Sequence, residues 1–190
     1  MIVFRVHVAF LSLIAAAANV VLATVANVLE IPLYFDSIGT IFVTLHVGLV
    51  PGIIVAIITN GALALTNQVL FPFVCCSVAT ALIVHLFRAR QWLGDYHGYL
   101  WMGLVVALAN GIGGSVLAYV LFDGVTHVHA IDRLVMGIVI TGRALLTSVF
   151  WAGMLTNLMD KLMSVLIAFM LRGKGRLLEQ MMLSREPEKS

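Results

Sequence analysis

Apolar residues run through this chain in long blocks, and polar residues gather at the few points where the blocks break. In the first half the breaks fall at Pro32, Pro51-Gly52 and Pro72, as expected of a residue that starts helices or interrupts them. Six hydrophobic segments result: Val6–Val28, Asp36–Val50, Gly52–Val69, Phe73–Phe87, Tyr99–Phe122 and Leu134–Leu171. Each reads as a helix, since a membrane-spanning helix needs about 20 mostly apolar residues. The second is at the short limit for crossing and can extend into the Glu30–Asp36 connection. The last would reach about 60 Å as one helix, about twice the hydrocarbon thickness. It must bend, or begin as a helix lying over the outer face, and Gly142-Arg143 is the expected break.

Composition places these segments in a bilayer. Hydrophobic residues make up 62% and charged residues 11%, with a mean hydropathy of +1.08, whereas about a quarter of a soluble domain is charged. The expected fold class is an all-α integral membrane protein of about six transmembrane helices. It comprises one domain over residues 1–172 and a charged cytoplasmic tail over 173–190, expected as an amphipathic helix that frays. Arg5, Arg88, Arg90, Arg172, Lys174 and Arg176 fall on one side of the six-span arrangement. Glu30, Asp36, Asp123, Asp132 and the lone Arg133 fall on the other, so the positive-inside rule puts both termini in the cytoplasm and an acidic mouth outside. The start could alternatively be a signal peptide, a reading the later topology does not need. A formal charge of +2 with no basic face argues against nucleic acid. HExxH, a Walker-type lysine loop and a serine nucleophile turn are all missing, so no enzyme is expected. Cys75 and Cys76 read as small packing residues.

Candidate chemistry starts at Asp36. A carboxylate in hydrocarbon costs about 2.5–3.5 kcal/mol on insertion scales, so it must meet water, a partner or a ligand; helix capping with Ser37 is the plainer role. Thr40 and Thr44 follow at helical spacing and extend a polar stripe from that mouth, or bond back to their own helix. Asn157, Asp160 and Lys161 share one side of the last helix. They suit ligand contact or an internal ion pair, for example with Arg143, while Lys161 could instead snorkel to the cytoplasmic surface. Asn60 and Asn67 offer amides that read hydrogen-bonding edges; Asn110, among glycines, fits helix-to-helix bonding better. Tyr34 lies where an outer aromatic belt, or stacking on a planar ligand, is expected. His127 and His129 beside Asp123 and Asp132 suggest a metal cluster, but plain loop histidines are the preferred reading and no metal is expected. Ala15, Asn19 and Ala23 form a small-residue stripe on the first helix, suited to internal packing or to docking a partner.

The runs Leu33-Tyr-Phe-Asp-Ser-Ile-Gly-Thr-Ile41, Pro51-Gly52 with Thr59-Asn60, and Asn157-Leu-Met-Asp-Lys-Leu-Met-Ser-Val-Leu-Ile-Ala168 resemble stretches of the S components of energy-coupling factor (ECF) transporters. The resemblance implies six spans with cytoplasmic termini in a bacterial cytoplasmic membrane. It also implies capture of a vitamin, related micronutrient or metal from outside, and assembly with a transmembrane coupling subunit and two ATPase subunits. The chain would carry no cofactor, ATP being used by those partners. Span one would dock on the coupling subunit, and the outer helix ends with their loops would form the pocket. Two departures stand out: Asn19 and Asn27 occupy small-residue positions of the docking stripe, and Ile2 stands where metal-binding members have histidine. An organic substrate is therefore expected, with Asp36, Ser37 and Thr40 near the pocket and Arg143, Asn157 and Asp160 behind them. The alternative is a nonenzymatic membrane sensory or scaffold domain.

Overall fold

The computed structural model describes residues 2–173 and 175, and within them the chain is all-helical. The helices are α1 (Ile2–Val28), α2 (Ile38–His46), α3 (Leu49–Ala64), α4 (Val74–Ala89), α5 (Tyr96–Phe122), α6 (His129–Ile140) and α7 (Leu145–Met170), with a 3-10 turn over Gln68–Phe73 before α4. Four stretches are long and apolar enough to cross a membrane: Val6–Val28, Gln68–Ala89, Tyr96–Phe122 and Leu145–Met170; Leu49–Ala64 is a shorter apolar helix. The chain is a helical membrane protein. Phe10, Val21, Val120 and Trp151 stand exposed on its flanks, as lipid-facing side chains do. Most of the tail expected from residue 173 lies outside the described residues.

One segment departs from the sequence expectation, and another breaks where it was expected to. The second of the six is not a full span: only the nine residues of α2 are helical, about 14 Å of rise, and residues 29–37 reach it as irregular backbone. The last divides as its length required. α6 ends at Ile140, the chain turns through residues 141–144 with Gly142 at φ +86°, and α7 starts at Leu145. Only glycine enters that left-handed conformation without steric cost. Smaller shifts have local causes. Pro51 lies in the first turn of α3, where its missing N–H interrupts nothing, and Pro72 is absorbed by the 3-10 turn.

Apolar burial is a weak drive between helices in lipid, so contact depends on small residues and buried polar bonds. α5 and α7 form the broadest helix pair, and Ile41, Val84, Met102, Val106 and Val165 join them to α2 and α4. Val135 of α6 packs with Ala118, Val149 and Ala152, laying that short helix against α5 and α7. On the other side α1 meets α2 so closely that a Cβ on Gly39 would collide with the backbone carbonyl of Ala15. Asn19, fully buried, closes the junction. Its Oδ1 accepts from Gly39 N–H at 2.7 Å, and its Nδ2 donates to Thr40 at 3.3 Å and Thr59 at 3.2 Å. An amide from α1 thus satisfies an orphan donor in the first turn of α2, which has no side-chain cap of its own.

The stripe expected to dock a partner is therefore turned inward. Ala15 and Asn19 are buried against α2 and α3, and Ala23 is half-buried at the wall of a cavity. The small-residue spacing serves internal packing, because only small side chains and an amide fit between helices this close. Asn19→Leu strands the Gly39 N–H and is expected to destabilise the protein by about 1–3 kcal/mol. Thermal unfolding in detergent measures this; an unchanged midpoint would remove Asn19 from the junction.

Candidate functional site

A cavity of about 510 Å³ opens between α1, α3, α4, α5 and α7 at the end of the bundle where residues 29–37 and 123–128 lie. The opposite end carries His46, Arg88 and Arg172. Its walls mix Leu33, Leu63, Leu70 and Phe73 with Tyr34, Asp36, Lys161 and five asparagines, Asn27, Asn60, Asn67, Asn110 and Asn157. His127 and His129 sit exposed at the mouth. Glu30 and Arg133 pair there at 2.7 Å, and the guanidinium holds the Glu30 carboxyl below the usual carboxylate range. Both partners are more than half exposed, so this strap contributes little to stability.

One ammonium organises the interior. Lys161, 2% exposed, extends its Nζ to Asp36 Oδ1 at 3.0 Å, to Ser37 Oγ at 2.6 Å and to Asp160 Oδ2 at 2.7 Å. The last contact is an ion pair without the alignment of a hydrogen bond. Ser37 Oγ in turn donates to Asp36 Oδ1 at 2.6 Å. Asp160 Oδ1 accepts from Phe35 N–H at 2.7 Å, made accessible by a left-handed turn at Phe35, φ +49°. The Tyr34 ring lies over Lys161 Nζ at 6.0 Å. Charges this deep persist only when paired and hydrogen-bonded. The consequence is mechanical: residues 34–37 are fastened to the middle of α7.

Four of the five asparagines are held by hydrogen bonds of their own. Asn60 donates its Nδ2 to Ala56 C=O at 2.9 Å and to Ser77 Oγ at 2.8 Å; Asn110 donates to Val106 C=O at 2.9 Å and Thr80 Oγ1 at 2.9 Å. Asn157 donates to Gly153 C=O at 2.9 Å. Asn67 ties the 3-10 turn to the α5–α6 loop, donating to Thr126 C=O at 2.9 Å and accepting from Val69 N–H at 3.2 Å.

Of the expected site residues, Tyr34, Asp36, Asn60, Asn67 and Asn157 line the cavity. Ser37 and Asp160 stand behind the wall as partners of Lys161. Thr40 belongs to the Asn19 junction one helical turn away. Arg143 is exposed in the α6–α7 turn and reaches neither the cavity nor Asp160; the cation that pairs with Asp160 is its own neighbour. Lys161 accordingly does not snorkel, because two carboxylates hold it inside. Neither Asp36 nor Ser37 caps α2. Asn110 both bonds between helices and lines the cavity. A signal for Lys161 was present in the sequence: it is the one cation inside the last helix, and two buried carboxylates need a counter-charge. Among the described residues no three His, Cys, Asp or Glu side chains form a metal-holding group. Comparison with protein-family models, with curated proteins and with solved structures finds no match to this chain.

Lys161→Met leaves two buried carboxylates without their cation, and removal of one partner of a buried pair costs about 3–5 kcal/mol. Chemical unfolding of the purified protein should show that loss. Adding Asp160→Asn and Asp36→Asn to the same chain should restore a good part of it. A Lys161→Met protein as stable as the parent would contradict the ion cluster.

Proposed function

We propose that this chain is the substrate-capture subunit of an ECF-type importer, taking a vitamin or related small organic micronutrient from outside the cell. The observation that carries the reading is irregular backbone at residues 29–37, fastened into the bundle and lining a polar cavity. Non-helical backbone at membrane depth is tolerated only where it is buried in protein or lines a water-filled cavity, and broken segments of this kind surround the substrate sites of transporters. A cavity of about 510 Å³ falls in the size range of small-molecule sites, about 300–1,000 Å³.

In this reading six segments, α1 to α5 and α7, form the membrane bundle, with α2 and the preceding irregular stretch together making one crossing, and α6 lies over the outer face. The Arg88, Arg90 and Arg172 end is cytoplasmic by the positive-inside rule, so the cavity opens outward with both termini inside, in a bacterial cytoplasmic membrane. The substrate enters past His127 and His129, and the α5–α6 and 29–37 connections fold over it. No covalent chemistry is needed. Import requires an engine, supplied by the coupling subunit and two ATPases of the resembled family. The small-residue stripe of α1 being occupied internally, docking uses another part of the bundle surface.

The test is native mass spectrometry of the gently purified membrane protein, with denaturing extraction of any retained molecule. A small organic molecule at one per chain, with ATPase subunits co-purifying, is the expected result. An empty protein carrying only lipid or a signalling partner would favour a sensory or scaffold domain. Gly114→Leu supplies the control. A Cβ at Gly114 meets nothing nearer than the Phe73 ring at 4.0 Å, so the larger side chain should fold into the cavity, abolish retention and leave the unfolding midpoint nearly unchanged.

A further inference from the structure

Three buried amide oxygens in the cavity lining are left without a donor among the described residues. Asn60, Asn110 and Asn157 are 2%, 4% and 5% exposed, and all three line the cavity. Each donates one N–H to a carbonyl four residues earlier on its own helix, and Asn60 and Asn110 spend the second on Ser77 Oγ and Thr80 Oγ1. A carbonyl can only accept, so each bond fixes the orientation of its amide. No described residue donates to any of the three Oδ1 atoms, which are left for a ligand together with the second N–H of Asn157.

Asp36 adds a fourth acceptor. Its Oδ1 receives both Lys161 and Ser37, whereas Oδ2 has no partner among the described residues. Lys161 lines the cavity but has nothing to offer: its ammonium is already directed at Asp36, Ser37 and Asp160. With both carboxylates ionised, two of them against one ammonium give the cluster one formal negative charge. Phe73 and Tyr34 flank the same space, and aromatic faces attract cations.

Resting on the capture reading, we propose that the ligand is a small organic cation rich in N–H donors, such as an amidinium, a guanidinium or a protonated amino-heterocycle. Its N–H groups occupy the Asn60, Asn110 and Asn157 oxygens, and its charge meets Asp36 Oδ2. A carboxylate ligand finds no free cation in that lining and faces four acceptors it cannot satisfy. A neutral amide satisfies some acceptors but leaves the cluster's negative charge uncompensated in a low-dielectric site.

The experiment compares three probes of one shape, benzamidine, benzamide and benzoate, by calorimetric titration of the full chain in lipid nanodiscs. Benzamidine is expected to bind at one per chain, about tenfold or more tighter than benzamide, with benzoate silent. Asp36→Asn removes the excess charge and should bring the benzamidine-to-benzamide ratio to about one. Should that variant not fold, Asn157→Leu carries the test: losing one acceptor lowers benzamidine affinity and leaves benzoate silent. Benzoate or benzamide binding at least as tightly as benzamidine overturns the cation assignment while leaving capture standing. A preference untouched by both substitutions overturns it too. No saturable binding of any probe also overturns it, and retention in the mass-spectrometric measurement then decides the capture reading separately.

Discussion

A single ammonium between two carboxylates sets the terms for the rest of this molecule. In a bilayer, an unpaired charge at the depth of Lys161 would draw in water or move toward the surface. Here it is retained because Asp160 comes from its own helix and Asp36 from a segment 125 positions earlier. Such a cluster is weak evidence of net stability, since the cost of removing its members from water offsets much of their attraction. What it supplies is position. It fixes where residues 34–37 lie, and so where α2 begins.

That placement explains two oddities together. α2 is short because the chain reaches it as irregular backbone, where Asp160 meets the Phe35 N–H, and Asn19 meets the Gly39 N–H in the first turn of the helix itself. Asp160 of α7 and Asn19 of α1 thus hold the chain on either side of the start of α2. The cavity lies beside it, and three of its asparagines are held by carbonyls of their own helices. A wall of fixed acceptors next to a surplus negative charge is preorganised for a donor-rich ligand, since its groups need not reorder on binding.

Much of this was legible in the sequence. Long apolar blocks gave helices at α1, α5 and α7 nearly to their ends, and simple length required the break that Gly142 makes. The Asp36 region and the Asn157–Lys161 group were recognisable because ionisable residues in apolar blocks need a reason to be there. What could not be read was pairing. Spacing puts Asp160 and Lys161 on one side of a helix but says nothing of Asp36 across the bundle, so Arg143 was an equally good partner until the turn at residues 141–144 placed it outside. The stripe at Ala15, Asn19 and Ala23 failed for a related reason. Small-residue spacing reports a close helix contact without saying whether the neighbour belongs to the same chain. α2 misled because Asp36 and Ser37 read as the head of its helix, whereas both are taken up by Lys161 across the bundle.

The central claim is that Lys161 fastens residues 34–37 into the bundle. Hydrogen–deuterium exchange of that segment in lipid nanodiscs tests it most directly, comparing the parent protein with Lys161→Met under conditions where both remain folded. The account predicts that the peptide spanning Tyr34–Ser37 is protected in the parent and exchanges much faster in the variant, while the middle of α5 is unaffected. Equal protection of that peptide in both proteins would contradict it.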